Sequence, residues 1–227
     1  MVDKQLLAYL ETFVTDKRKQ LFKEVLANRT RHFTVAIEDI YQPHNASAVV
    51  RSCDVFGVQD IHVIENKYEF NASNHVAKGA QKWIDLHYYN KKEVNNTLQC
   101  IETLKKQGYQ IIATTPHNES CFLQDFDITQ KAAFFFGVEK EGLSQDVMQN
   151  ADGFLKIPMV GFTESLNISV AAAIILQHLH HKLKASTVKW QLSEMEKEIK
   201  YAEWIEKTIK SLDKIKTRYY NDIAIEK

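Results

Sequence analysis

Residues 132–183 read AAFFFGVEKEGLSQDVMQNADGFLKIPMVGFTESLNISVAAAIILQHLHHKL. The opening run, residues 132–138, is short, continuously apolar and closed by a polar turn, the pattern of a strand buried on both faces. A short helix, a second strand, a loop and a long helix follow. Two chain reversals therefore bring residues 137–144 near residues 156–169. Open α/β sheets bind ligands outside the carboxyl ends of their strands, so the end of the first strand is where a site is expected.

The turn from Gly137 through Gly142 to Ser144 nearly fits the phosphate-binding pattern G-x-x-x-x-G-K-[ST], but Leu143 stands where the lysine belongs. Without that cation the loop does not suit a nucleoside triphosphate. The other glycines, at 57, 79, 108, 153 and 161, are too far apart for a G-x-G-x-x-G dinucleotide fingerprint. Polar groups nevertheless gather where the sheet would place a ligand: Glu139, Glu141 and Ser144, then Thr163, Glu164, Ser165, Asn167 and Ser169. Asn167 or Ser169 is a natural N-cap for the long helix, and taken singly each of these residues reads as turn or cap chemistry.

Together the blocks FFFGVEKEGLS and IPMVGFTESLNISVAAAIILQ resemble the second and third motifs of the SpoU/TrmH family of RNA ribose 2′-O-methyltransferases, in the SPOUT class. The run from Asn45 through Arg51 to Gly57, NASAVVRSCDVFGV, resembles the first. The resemblance spans residues 34–183. It implies a mostly parallel α/β sheet with flanking helices, in which a C-terminal trefoil knot forms a bent pocket for S-adenosyl-L-methionine. It also implies a homodimer whose sites draw on both subunits, and an RNA substrate rather than DNA, since the 2′-hydroxyl is what separates the two. Carried over by position, the cofactor would lie against Thr114, Gly137, Ile157 and Leu166. The functional polar positions would be Asn45, Arg51, Glu139, Ser165 and Asn167. Without the resemblance, Ile157 and Leu166 read as core.

In the family Arg51 is the proposed activator of the ribose hydroxyl. A free guanidinium is a poor base, so it is expected to position a phosphate and the hydroxyl, and to take the proton only if its surroundings assist deprotonation. Asn45 would orient Arg51 or the RNA, Glu139 and Ser165 would shape the site, and Asn167 would cap the last helix while holding the pocket loop. Within the family the motif forms most resemble the enzymes that methylate guanosine 18 in the D-loop of tRNA. Methylation of ribosomal RNA, or a non-catalytic RNA-binding or assembly role on the same fold, are the alternatives. Glu141 adds an acid beside the family's acidic position.

The 227 residues suffice for one domain with added segments. We expect a helical extension over residues 1–32, a methyltransferase domain over 33–184 and a second helical extension over 185–227. Net charge is zero but unevenly spread: residues 1–32 carry seven Lys/Arg against four Asp/Glu, residues 182–227 eleven against eight, and the middle eleven against seventeen. Basic ends suit contact with RNA phosphates. No apolar run is long enough to span a bilayer, and the polar start does not resemble a secretory signal, so a cytoplasmic protein is expected. Cys53, Cys100 and Cys121 are too scattered for a zinc site or disulfide framework. His178, His180 and His181 point in different directions on a helix and lack matching ligands, so surface histidines are expected and no metal.

In order along the chain, apolar spacing predicts two N-terminal helices broken near Thr15-Asp16. Strands are expected over residues 33–37, 61–64, 84–88 and 109–114, and helices over 45–56 and 93–107. Residues 71–82 are expected to be irregular or helical. A charged helix is expected from Val188 onward, with Trp190, Ile199 and Trp204 forming an apolar stripe.

Overall fold

The computed structural model describes residues 2–70, 79–116, 120–138 and 141–225. Among the described residues seven strands occur in chain order: β1 Phe33–Glu38, β2 Asp60–Ile64, β3 Asp85–Tyr89, β4 Gln110–Thr114, β5 Cys121–Phe122, β6 Ala132–Phe136 and β7 Gly153–Lys156. They form one sheet in the order β3-β2-β1-β6-β4-β7-β5, and every pairing is parallel. The order reverses between β1 and β4, where β6 is inserted. Such a switch point leaves a crevice at the carboxyl ends of its strands.

Helices follow the same numbering: α1 Lys4–Glu11, α2 Asp16–Leu26, α3 Pro43–Val55, α4 Asn96–Lys106, α5 Gln145–Asn150, α6 Ile168–Lys184, α7 Glu194–Thr208 and α8 Leu212–Ile225. The apolar run of β6 has the physical origin its pattern implies. Ala132, Phe134 and Phe136 join the core under α3 and α6, whereas Ala133 and Phe135 join the one under α4 and α5. Each phenylalanine so buried contributes about 1.5 to 3 kcal/mol relative to an exposed ring. The long helix α6 buries Ile168, Ala172, Ile175, Leu176, Leu179 and Leu183, a stripe at helical period facing the sheet.

The chain divides into two compact units, residues 30–190 and residues 1–29 together with 191–227. In the second of these, α1 and α2 pack on α7, and Trp204 is buried edge-on against Phe22 at 5.6 Å with the Arg29 guanidinium over the Trp204 ring at 5.4 Å. A capping box between Ser193 and Glu196 sets the start of α7.

Several sequence expectations need correction. Helix α3 starts at Pro43 rather than Asn45, with Gln42 as N-cap, because proline at the first helical position needs no amide donor and its ring already has helical φ. Helix α7 starts at Glu194 rather than Val188. Trp190 is therefore off the helix and buried in the domain core, Trp204 lies in the helical unit and Ile199 is exposed, so the expected stripe does not form. His178 and His180 are half-buried, not surface residues; His180 packs against Trp190 at 5.8 Å, and burial lowers its pKa. Of residues 71–82, only the last four are described, and Ala80–Lys82 is a 3-10 turn. Among the described residues no helix is long and apolar enough to cross a membrane.

Candidate active site

Three loops leave the carboxyl ends of β4, β6 and β7 and enclose a cavity of about 230 Å³. Thr114, Thr115 and Pro116 form one wall, residues 136–138 and 141–143 a second, and Leu155, Lys156, Ile157, Met159, Ser165 and Leu166 a third. Thr114, Gly137, Ile157 and Leu166, 52 residues apart in sequence at the extremes, thus line one space together with Ser165. The Thr114 hydroxyl donates to the Phe135 carbonyl at 2.7 Å, which ties the ends of β4 and β6 together.

The second wall depends on glycine. Val138 and Gly142 exchange amide hydrogen bonds of 3.1 and 2.8 Å, folding the chain back on itself. A Cβ on Gly137 would lie 2.2 Å from the Gly142 oxygen, closer than side chains approach backbone, so only glycine permits this closure. Gly142 has φ 70°, a left-handed conformation that glycine adopts without strain.

A second cavity of about 200 Å³ shares Gly137, Val138, Glu141 and Ile168 with the first and is lined also by Asn45. There the Asn167 side-chain amide donates to Asn45 Oδ1 at 3.0 Å, and the Asn45 amide donates to Gln42 Oε1 at 2.6 Å. Asn167 is at the same time the N-cap of α6, its Oδ1 accepting from the Ser169 amide at 2.9 Å and hydroxyl at 2.6 Å. One side chain therefore starts the last helix and pins its entry loop to the first turn of α3. Asn45 and Asn167 stand 122 positions apart in sequence and meet here.

Arg51 is exposed, six residues beyond Asn45 on α3, which is about 9 Å along the helix axis. It does not line either cavity. Glu139 lies outside the described residues.

Two acids that were not among the candidate site residues hold the walls in place. Glu38, buried at the end of β1, accepts from the Thr97 hydroxyl at 2.6 Å, the Ser144 hydroxyl at 2.7 Å and the Ser144 amide at 2.8 Å. It locks the far end of the second wall, where Ser144 caps α5, to the sheet and to α4. Asp39, at φ 53°, accepts the amides of Asn66 and Lys67 at 2.8 Å each and of Tyr68 at 3.4 Å. Adjacent acids at a strand end were visible in sequence, but their partners were not.

A separate titratable cluster sits toward the amino ends of β2 and β3, away from the cavities. Arg31 bridges Asp60 at 2.6 Å and Asp85 at 2.9 Å, and His87 reaches Asp60 at 2.8 Å. Burial raises the Asp60 pKa, but His87 and Arg31 outweigh it and the net shift is downward. His62 stacks on His87 at 4.8 Å, and burial together with the His87 charge pushes it down to about 4.

The main cavity offers apolar side chains and main-chain groups of three loops, a surface suited to a flat heterocycle with a short polar tail. Residues 32–177 match the model of the SpoU rRNA Methylase family. Over 191 residues the chain is 41% identical to the tRNA (guanosine(18)-2′-O)-methyltransferase of Borreliella burgdorferi, covering 84% of this chain and 85% of that one. A solved structure of the A. aeolicus TrmH/SpoU tRNA modifying enzyme superposes with a TM-score of 0.74 at 31% identity, covering 86% of this chain and 98% of that one. The SpoU methyltransferase AviRb from Streptomyces viridochromogenes, solved in complex with AdoMet, shares the fold with a TM-score of 0.60 at 23% identity, covering 72% of this chain and 65% of that one.

Proposed function

The chain belongs to the SpoU rRNA Methylase family, and on that premise we propose that it transfers a methyl group from S-adenosyl-L-methionine to a ribose 2′-hydroxyl of tRNA, at guanosine 18 of the D-loop. The observation that carries the reading is the convergence of Thr114, Gly137, Ile157 and Leu166, with Ser165, on one cavity at the switch point of a parallel sheet. The relative from Borreliella burgdorferi, named for guanosine 18 of tRNA, supports the choice of target.

The cavity residues fit the cofactor. Ile157 and Leu166 offer apolar contact for an adenine, and the main chain beside Thr114 and Gly137 offers hydrogen bonds to its edge and to the ribose. When bound, S-adenosyl-L-methionine supplies an electrophilic methyl on a sulfonium. What this chain then has to do is align a ribose oxygen with that methyl and let the hydroxyl proton pass to water, or to Arg51 if its surroundings assist deprotonation, as the new bond forms. Asn45 lines the neighbouring cavity and orients the RNA there, held by Asn167 and Gln42. Asn167 fixes the pocket loop, and Ser165 and Glu139 shape the rim. Arg51 binds a phosphate and holds the hydroxyl through the donors of its planar guanidinium.

We further propose that the site is completed in a homodimer. In support, Arg51 lies on an exposed face of α3 with Val55, which is 65% exposed, while α6 beside it exposes Val170 and Ile174. The loop ahead of α6 leaves Val160 and Phe162 wholly in solvent in the single chain. Apolar area of this kind is what a second copy would cover, and it would bring each Arg51 toward the partner's cavity. The trefoil knot belongs to the same reading; the insertion of β6 between β1 and β4, and of β7 between β4 and β5, supports it. The basic helices of residues 1–32 and 185–227 would contact the tRNA backbone, and the protein would act in the cytoplasm.

The experiment is incubation with unmodified tRNA and labelled S-adenosyl-L-methionine, followed by mapping of the labelled nucleotide. We expect label at the 2′-oxygen of guanosine 18. The Arg51→Ala variant should bind cofactor normally in calorimetry yet lose methyl transfer; near-normal turnover would remove Arg51 from the mechanism.

A further inference from the structure

The second cavity has two aromatic residues that the reaction as described above does not use. Tyr41 and Tyr68 line it with ring centroids 5.2 Å apart and planes inclined by 48°. They remain 50% and 42% exposed. Paired rings of this size usually bury themselves in a core, so a pair left half in water beside a cavity needs a reason.

Their placement is fixed by one residue. Asp39 takes a left-handed turn out of β1, which brings the chain to Tyr41 two residues later. Its carboxylate holds the amides of Asn66, Lys67 and Tyr68, which anchors the other ring to the same strand end. The Tyr41 hydroxyl accepts from the Gln42 side-chain amide at 3.3 Å, so its hydrogen-bonding end is engaged while half of the residue stays in water.

We propose that Tyr41 and Tyr68 are the stacking platform for the nucleobase attached to the ribose that is methylated. The inference rests on the methyltransferase reading, because the cavity adjoins the cofactor cavity through Gly137, Val138, Glu141 and Ile168. A ribose whose 2′-oxygen reaches the methyl donor must place its base in the next available space, out of its helical stack. The base then loses its stacking neighbours, and aromatic side chains replace them. Every base has a π-face, so the tyrosines position the nucleotide and do not read its identity.

The test uses the full-length protein, unmodified tRNA and labelled S-adenosyl-L-methionine. If the wild type fails to methylate tRNA, the parent reading fails. Given an active wild type, Tyr41→Ala and Tyr68→Ala should each lower kcat/KM for tRNA about 5- to 150-fold, the range that base stacking on an aromatic ring supports. Cofactor affinity should stay within about twofold, and Tyr41→Phe and Tyr68→Phe should remain near wild type, since they keep the ring. Alanine variants with unchanged kcat/KM, or with cofactor affinity lost in proportion, would overturn the platform. A measurement independent of variant folding is the wild type bound to tRNA carrying 2-aminopurine at the methylated position. Stacking should quench its fluorescence beyond the level in free tRNA; an unquenched or brightened signal would overturn the proposal.

Discussion

Replacing Gly137 by alanine tests the geometry of the cofactor cavity most sharply. The added methyl would sit 2.2 Å from the Gly142 oxygen, 2.4 Å from its carbonyl carbon and 2.6 Å from the Leu143 amide nitrogen. Non-bonded heavy atoms settle near 3.5 Å, so the wall must open by roughly 1 Å. All three obstructing atoms are main chain, and the opening breaks the paired hydrogen bonds between Val138 and Gly142. Overpacking costs about 1 to 3 kcal/mol and each of the two lost hydrogen bonds about 1 kcal/mol, for a total of roughly 3 to 5 kcal/mol. For a chain of this size that lowers Tm by about 6 to 20 °C. Thermal unfolding followed by circular dichroism measures the first effect, and calorimetric titration with S-adenosyl-L-methionine measures the second, a weakening of about tenfold or more. Gly142→Ala is the control: its Cβ meets nothing within 4 Å, so only the left-handed backbone is penalised, by about 1 to 2 kcal/mol. A Gly137→Ala protein with wild-type Tm and cofactor affinity, or one milder than Gly142→Ala, would refute the reasoning.

Other outcomes follow from single contacts. Glu38→Gln must turn an amide donor toward groups that already donate, so we expect a loss of about 1.5 to 3 kcal/mol in denaturant unfolding, with faster hydrogen exchange at Ser144. His62 is held down at about 4 against its ordinary 6.5, so the unfolded chain binds the extra proton between those values. Stability contributed by neutral His62 is complete above pH 6.5 and falls as pH drops toward 4, by at most about 1.4 kcal/mol per pH unit. His62→Gln should flatten that slope in a pH series of unfolding curves; His32 and His180, also lowered by burial, act in the same direction and keep part of it. Asn167→Ala removes a cap worth about 1 kcal/mol and the link to Asn45, so cofactor binding should weaken while the circular dichroism spectrum stays native.

The central architecture was legible because local pattern and tertiary role coincide there. The run at 132–136 is apolar on both faces because both faces are covered, and the helix after Asn167 buries Ile168, Ala172, Ile175, Leu176, Leu179 and Leu183 at helical spacing, although Val170 and Ile174 make its outer face apolar as well. Residue type narrowed the N-cap of α6 to Asn167 or Ser169, and the structure has Asn167 there. What sequence could not supply were contacts between distant positions. Glu38 joins Ser144 across 106 positions, and Asp39 gathers amides 27 to 29 positions away. Two-residue β5 carries too little pattern to be read, and Pro43 misled because a helix breaker in mid-helix is a helix starter at the first position. Ile157 and Leu166 have the composition of core residues; residue type did not mark them, the motif resemblance did, and both line the cavity wall. Arg51 and Asn45 share a helix, yet the helical repeat puts Asn45 at the cavity and Arg51 in solvent.

The most direct measurement is a crystal structure of the protein grown with S-adenosyl-L-methionine. The account predicts the adenine and its ribose between Thr114, Gly137, Ile157 and Leu166, with the sulfonium methyl turned toward the cavity lined by Asn45. Density for the cofactor anywhere else on the chain, or a methyl pointing away from that second cavity, would contradict it.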